Sequence, residues 1–114
     1  MDIEQLRDYC LKLKDVVEEF PFGNETLVFK VKGKIFLLCG LESDPLQFNV
    51  KCDPERAEEL REQYPAIIPG YHMNKKHWNT VIVDGSLSNA MLRELIDHSY
   101  DLVYKSLPKK LREE

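Results

Sequence analysis

Apolar residues in the first twenty positions recur at alternating steps of three and four: Ile3, Leu6, Cys10, Leu13, Val17 and Phe20. That spacing is one face of a helix. Asp2 is placed to accept from the first free amides, with Gln5 three positions on, as in a capping box. The pattern predicts a helix from Ile3 to about Phe20, broken by Pro21-Phe22-Gly23-Asn24. The period then falls to two. Leu27, Phe29 and Val31 alternate with Val28, Lys30 and Lys32; after a turn near Lys32-Gly33 the chain is apolar at every position from Ile35 to Cys39. A hairpin is expected, its second strand covered on both faces. Asp44-Pro45 turns the chain again, and Leu46, Phe48 and Val50 alternate with Gln47, Asn49 and Lys51 to give a third strand.

Asp53-Pro54-Glu55 is a helix start: an N-cap, a proline at the first helical position and an acid that complements the dipole. This helix should end near Tyr64, ahead of Pro65. Pro69-Gly70 opens a second hairpin that turns near Asn74-Lys75-Lys76 and returns through Trp78 to Val83. A last helix is expected from about Ser88 to Ser106, with Leu92, Leu95, Ile96, Leu102 and Val103 buried. Pro108 stops it, leaving residues 109–114 as a frayed tail. The fold class is α+β, one domain over residues 1–114: helix, three-stranded antiparallel meander, helix, β-hairpin, C-terminal helix.

Composition adds compartment and charge. A chain of 114 residues has the length of one domain, and 43% hydrophobic with 32% charged residues is ordinary for a soluble protein. No apolar run approaches the length of a membrane helix. The acidic start Met1-Asp2-Ile3-Glu4 does not resemble a signal peptide. Cys10, Cys39 and Cys52 are odd in number and lie in apolar settings, which suits free thiols in a reducing, cytoplasmic setting. The net charge is -4, yet residues 26–41 contain Lys30, Lys32 and Lys34 with no acid, and residues 66–83 contain Lys75 and Lys76 with no acid. Elsewhere eleven bases face twenty acids, a balance of -9. The charge is divided along the chain.

The segment Gly70 to Val81, GYHMNKKHWNTV, concentrates polar and aromatic groups. His72 and His77 lack a third ligand at zinc-site spacing, so no metal is expected. No cysteine sits against a base in sequence, and no phosphate-cradling glycine loop or hydrolase elbow occurs. Neither enzymatic activity nor a cofactor is expected. Trp78 is expected to be buried against the helical layer, as a small core needs its large apolar area. The hairpin lysines suit phosphate contact and equally suit protection of strand edges.

Five segments, PFG, VFKVKGKIF, VKCDPERAEELR, IIPGYHMNKKHWNTV and SYDLVYKSLPKK, occur in an order and spacing that resemble the MmcQ/YjbR-like family, from about Ile3 to Lys110. The resemblance implies a double-wing α+β domain whose hairpins project as wings, with DNA as the partner and no enzymatic role. The wings would be the hairpin at Lys32-Gly33-Lys34 and the segment from His72 to Asn79. The candidate DNA contacts are Lys30, Lys32, Lys34, His72, Asn74, Lys75, Lys76, His77 and Asn79, with His72, Asn74 or Asn79 near base edges. A monomer with no membrane contact is expected. A protein-interaction or small-ligand domain, in which the segment is mainly structural, stays open as the alternative.

Overall fold

In the computed structural model, residues 1–70 and 73–112 are described. The first helix, α1 (Ile3–Leu11), starts on the expected capping box: the Asp2 carboxylate accepts from the Gln5 amide, and the Gln5 side chain accepts from that of Asp2. It stops at Leu11, well short of Phe20. A turn with Asp15 at φ 63° leads into a strand, β1 (Val16–Glu19), that the helical period concealed. The β-branched pair Val16-Val17 favours extended backbone, and the strand gains a hydrogen-bonded ladder with the next one. Val17 and Phe20, expected on a buried stripe, are 52% and 49% exposed.

Strands β2 (Thr26–Val31) and β3 (Lys34–Gly40) are joined by Lys32-Gly33, with φ 50° and 87°. Two left-handed residues in a two-residue loop match the right-handed twist of the flanking strands. Phe29 pairs with Leu37 and Lys30 with Ile35, so Phe36 is the extra residue of a bulge. The bulge lets both Phe36 and Leu37 enter the core, while Leu38 turns to the opposite face. That is how an uninterrupted apolar run fits a strand of period two.

The chain continues through β4 (Gln47–Lys51) and α2 (Pro54–Gln63), where the Asp53 carboxylate caps the Glu55 and Arg56 amides. The second hairpin pairs β5 (Ile67–Pro69) with β6 (Trp78–Ile82). Its first strand therefore lies ahead of Gly70 rather than after it. Helix α3 (Asn89–Lys105) begins at the Ser88 cap. After Pro108 a short helix, α4 (Lys109–Arg112), replaces the expected fray, held by the Tyr104 hydroxyl donating to the Arg112 carbonyl.

All six strands form one antiparallel sheet in the order β1-β2-β3-β4-β6-β5. Leu6 and Cys10 of α1, Ala57 and Leu60 of α2, and Leu92, Leu95, Ile96 and Val103 of α3 meet the sheet residues Phe29, Leu37, Phe48, Val50, Ile67 and Val81 in one core. The three cysteines are buried with free thiols; burial pushes Cys10 up to about 12 and Cys39 to about 11. Strands β3 and β4 part beyond the Leu37–Val50 pair. There the fully buried Ser99 of α3 donates to the Phe36 carbonyl and accepts from the Lys51 amide, at 2.6 and 2.8 Å. No described helix is long and apolar enough to cross a membrane.

Candidate nucleic-acid interface

Strand register puts the two basic segments at the same end of the sheet. Val31 pairs with Lys34 beside the β2–β3 turn, and Lys51 at the end of β4 pairs with Trp78 at the start of β6. Lys34, Lys51 and the Lys75-Lys76 turn thus emerge from β3, β4 and the approach to β6. At a strand spacing of about 4.8 Å they span roughly 10 Å along that end. Lys51 joins this row only through the docking of β6 on β4, which nothing in its own strand marks.

The lysines of the β2–β3 hairpin are less available than their sequence suggests. Lys30 Nζ lies 2.7 Å from Glu19 Oε2, and Lys32 Nζ lies 3.6 Å from Asp15 Oδ2. Both acids belong to the hidden strand β1 or its leading turn. The stretch that is free of acids in sequence is faced by acids in space. Lys34, Lys75 and Lys76 are exposed, with no ion pair among the described residues. Near Lys76, a cavity of about 120 Å³ is also lined by Glu55 and Glu58, which offset part of its field.

The Asn74–Asn79 segment is a compact turn. The His77 and Trp78 amides donate to the Asn74 carbonyl, and the Asn74 side chain accepts from the Lys76 amide at 3.0 Å. The His77 carbonyl accepts from the Cys52 amide, tying the turn to the end of β4. Beneath it lies Arg61 of α2, another residue that sequence patterning did not single out. Its Nε donates to Asn79 Oδ1 at 2.6 Å, and one terminal nitrogen donates to the carbonyls of Lys75 and Trp78. A guanidinium fork is suited to several acceptors at once. Asn79, expected near base edges, is 2% exposed and turned toward Arg61, because it shares the helix-covered face with Val81. His77 is half-buried, and Asn74 is exposed. His72 lies outside the described residues.

Trp78 is also placed differently. It alternates with Asn79 and Val81, so its ring is on the face away from the helices, half-buried and outside the core cluster. Gly70 explains why the connection lies close there: a Cβ on it would meet Trp78 Cβ at 2.9 Å and the Trp78 carbonyl oxygen at 3.0 Å. Among the described residues, no three His, Cys, Asp or Glu side chains are grouped to hold a metal.

One antiparallel sheet with its helices on one face and a row of lysines at one end defines a small α+β domain with two basic turns. The YjbR family model matches residues 11–102, and the chain belongs to that family. It is 44% identical over 108 residues to the Escherichia coli O157:H7 protein YbdF, covering 94% of this chain and 88% of that one. It is 31% identical over 112 residues to YjbR of Escherichia coli K12, covering 98% and 95%. Both are described as uncharacterized proteins. The crystal structure of Deinococcus radiodurans protein DR2400, a DUF419 domain, superposes with a TM-score of 0.93 at 46% identity, over 97% of this chain and 85% of that one. A Pseudomonas syringae protein gives 0.78 at 31% identity, over 90% and 99%.

Proposed function

We propose that this chain is a non-enzymatic, cytoplasmic DNA-binding module that contacts phosphates weakly, with little sequence preference, through the lysines at one end of its sheet. The observation that carries the reading is the shared end: Lys34, Lys51, Lys75 and Lys76 project from adjacent or next-adjacent strands. Three or four phosphate contacts give a slope of log affinity against log salt of roughly -3. The net charge of -4 opposes approach, so binding is micromolar or weaker. A salt titration with duplex and single-stranded DNA tests this. Changing Lys34, Lys51, Lys75 and Lys76 together to alanine should flatten the slope, whereas Lys30→Ala should change little because Glu19 already faces Lys30. Absence of salt-sensitive binding at about 50 mM salt would refute the reading.

One observation favours a protein partner instead. The edge strand β1 and the loop after it expose Val17, Phe20 and Phe22, the last at 66%. Unpaired backbone beside apolar side chains suits β-strand addition. In that case Phe22→Glu would abolish association measured by sedimentation and leave any salt slope unchanged.

A further inference from the structure

The face of the sheet away from the helices carries a cavity of about 290 Å³. Its floor is a row of cross-strand neighbours, Leu38, Asn49 and Thr80, with Thr26 and Gln47 beside them. Met73, from the connection that carries Lys75 and Lys76, closes one side. None of its described lining residues is charged, although 32% of the chain is. The cavities at Lys76 and between α1 and α3 differ: the first includes Glu55, Glu58 and Arg61, the second Asp8, Lys12 and Arg93. A charge-free wall gives no counter-ion to a phosphate, a carboxylate or an amine held inside it. It does offer carboxamides and hydroxyls over apolar groups.

Asn49 and Gln47 are the informative pair. Thr80 Oγ1 donates to Asn49 Oδ1 at 2.5 Å, which orients the carboxamide and leaves its amide nitrogen as the group to be donated elsewhere. Gln47, two residues earlier on the same face of β4, brings both a donor and an acceptor. Carboxamides match the mixed donor and acceptor edges of nucleobases, while Leu38 and the Met73 thioether supply apolar surface for a planar ring. The connection that contributes Met73 presents Lys75 and Lys76 two and three residues later, so that turn is reached from the Met73 side of the cavity, while Thr26, Gly40 and Gln47 set its other side toward the opposite end of the strands.

We propose that this cavity is a site for one unpaired, uncharged nucleobase, supplied by a single strand or by a free nucleoside. The assignment rests on the phosphate-binding reading for its strand-borne form and stands on the cavity alone for the free nucleoside. A base in the cavity excludes a paired duplex, so the site makes single strands the preferred polymer.

The test compares a short single strand, the same strand with abasic residues, and the matching duplex, each titrated over salt with Trp78 fluorescence as the signal. The base-bearing strand should bind roughly tenfold more tightly than the abasic one, within the range for docking one base. Gln47→Ala and Asn49→Ala should remove that increment and keep the salt slope. Equal affinity for the base-bearing and abasic strands would overturn the site and leave the phosphate reading intact. If neither strand binds, the phosphate reading falls, and adenosine and thymidine titrated into labelled protein decide alone. Amide shifts clustered at Thr26, Asn49 and Thr80 would support the site, and their absence would overturn it. Gln47 is half-exposed, so its alanine variant should fold even where Asn49→Ala proves unstable.

Discussion

Replacing Arg61 with methionine keeps most of the apolar stem and deletes the fork that holds the Lys75–Asn79 segment. Asn79 Oδ1 and the Lys75 carbonyl lose this donor, while the Trp78 carbonyl keeps the Gly70 amide at 2.9 Å. The Asn79 side chain is 2% exposed, so its oxygen would be left buried and unpaired, at a cost of about 1–3 kcal/mol. The Lys75 carbonyl lies where water can replace the donor, and each backbone bond contributes only about 0.5–1.5 kcal/mol net. The sum, discounted for that water, is about 1–4 kcal/mol. Urea denaturation of wild type and Arg61→Met should show this as a lower midpoint at unchanged slope. Arg61→Lys should recover little of the loss, since one ammonium cannot reproduce the planar fork. Hydrogen exchange should localise the change, with faster exchange at the amides of Lys76, His77 and Trp78. The DNA salt slope should flatten as Lys75 and Lys76 lose their fixed presentation. A loss below about 0.5 kcal/mol, the size of an ordinary surface substitution, would refute the clamp.

Ser99→Ala should cost about 2–4 kcal/mol in the same urea assay, because the buried Phe36 carbonyl and the partly buried Lys51 amide lose their shared partner. Gly70→Ala should destabilise by about 1–3 kcal/mol through overpacking against Trp78 Cβ and its carbonyl, read as a lower thermal midpoint. Burial, and then the nearby Arg56, hold the His98 pKa below 6.5, and its Nε2 accepts from the Asp53 amide. The unfolded chain therefore binds the proton more readily, and stability should be full above pH 6.5 and fall as pH drops through 6.5 toward the folded value. His98→Gln should flatten that limb, and an unchanged profile would show that His98 is not its source.

Local signals foretold what depends on near neighbours in the chain. The Asp2–Gln5 capping box, the Asp53-Pro54 helix start, the Ser88 cap and the Lys32-Gly33 turn each need only a few consecutive residues to form. Strand β1 escaped because four residues of alternation cannot displace a helical period of three and four that persists through Val17 and Phe20. The only sequence cue for it was the Val16-Val17 pair. Trp78 was misplaced because a one-residue change of parity in β6 moves every side chain to the other face. Ser99, Arg61 and Lys51 were invisible for a different reason. Their roles come from partners on other elements, such as Phe36 for Ser99, and nothing in a single helix or strand marks them.

The charge pattern joins these two kinds of legibility. In sequence, Lys30, Lys32 and Lys34 form a run without acids, and a basic wing follows naturally. In space, β1 lies beside β2 and brings Glu19 to Lys30 and Asp15 to Lys32, so that hairpin presents Lys34 as its exposed cation. The other basic segment fares differently, because Arg61 is held beneath it and pulls backbone carbonyls inward, leaving the side chains of Lys75 and Lys76 at the surface. The positive end of the sheet is therefore centred on β4 and β6, away from the β2–β3 hairpin. That shift brings it next to the connection whose Met73 closes the uncharged cavity. A polymer held there by its phosphates would lie beside a site that holds none, and the bases would be the part of it left to enter.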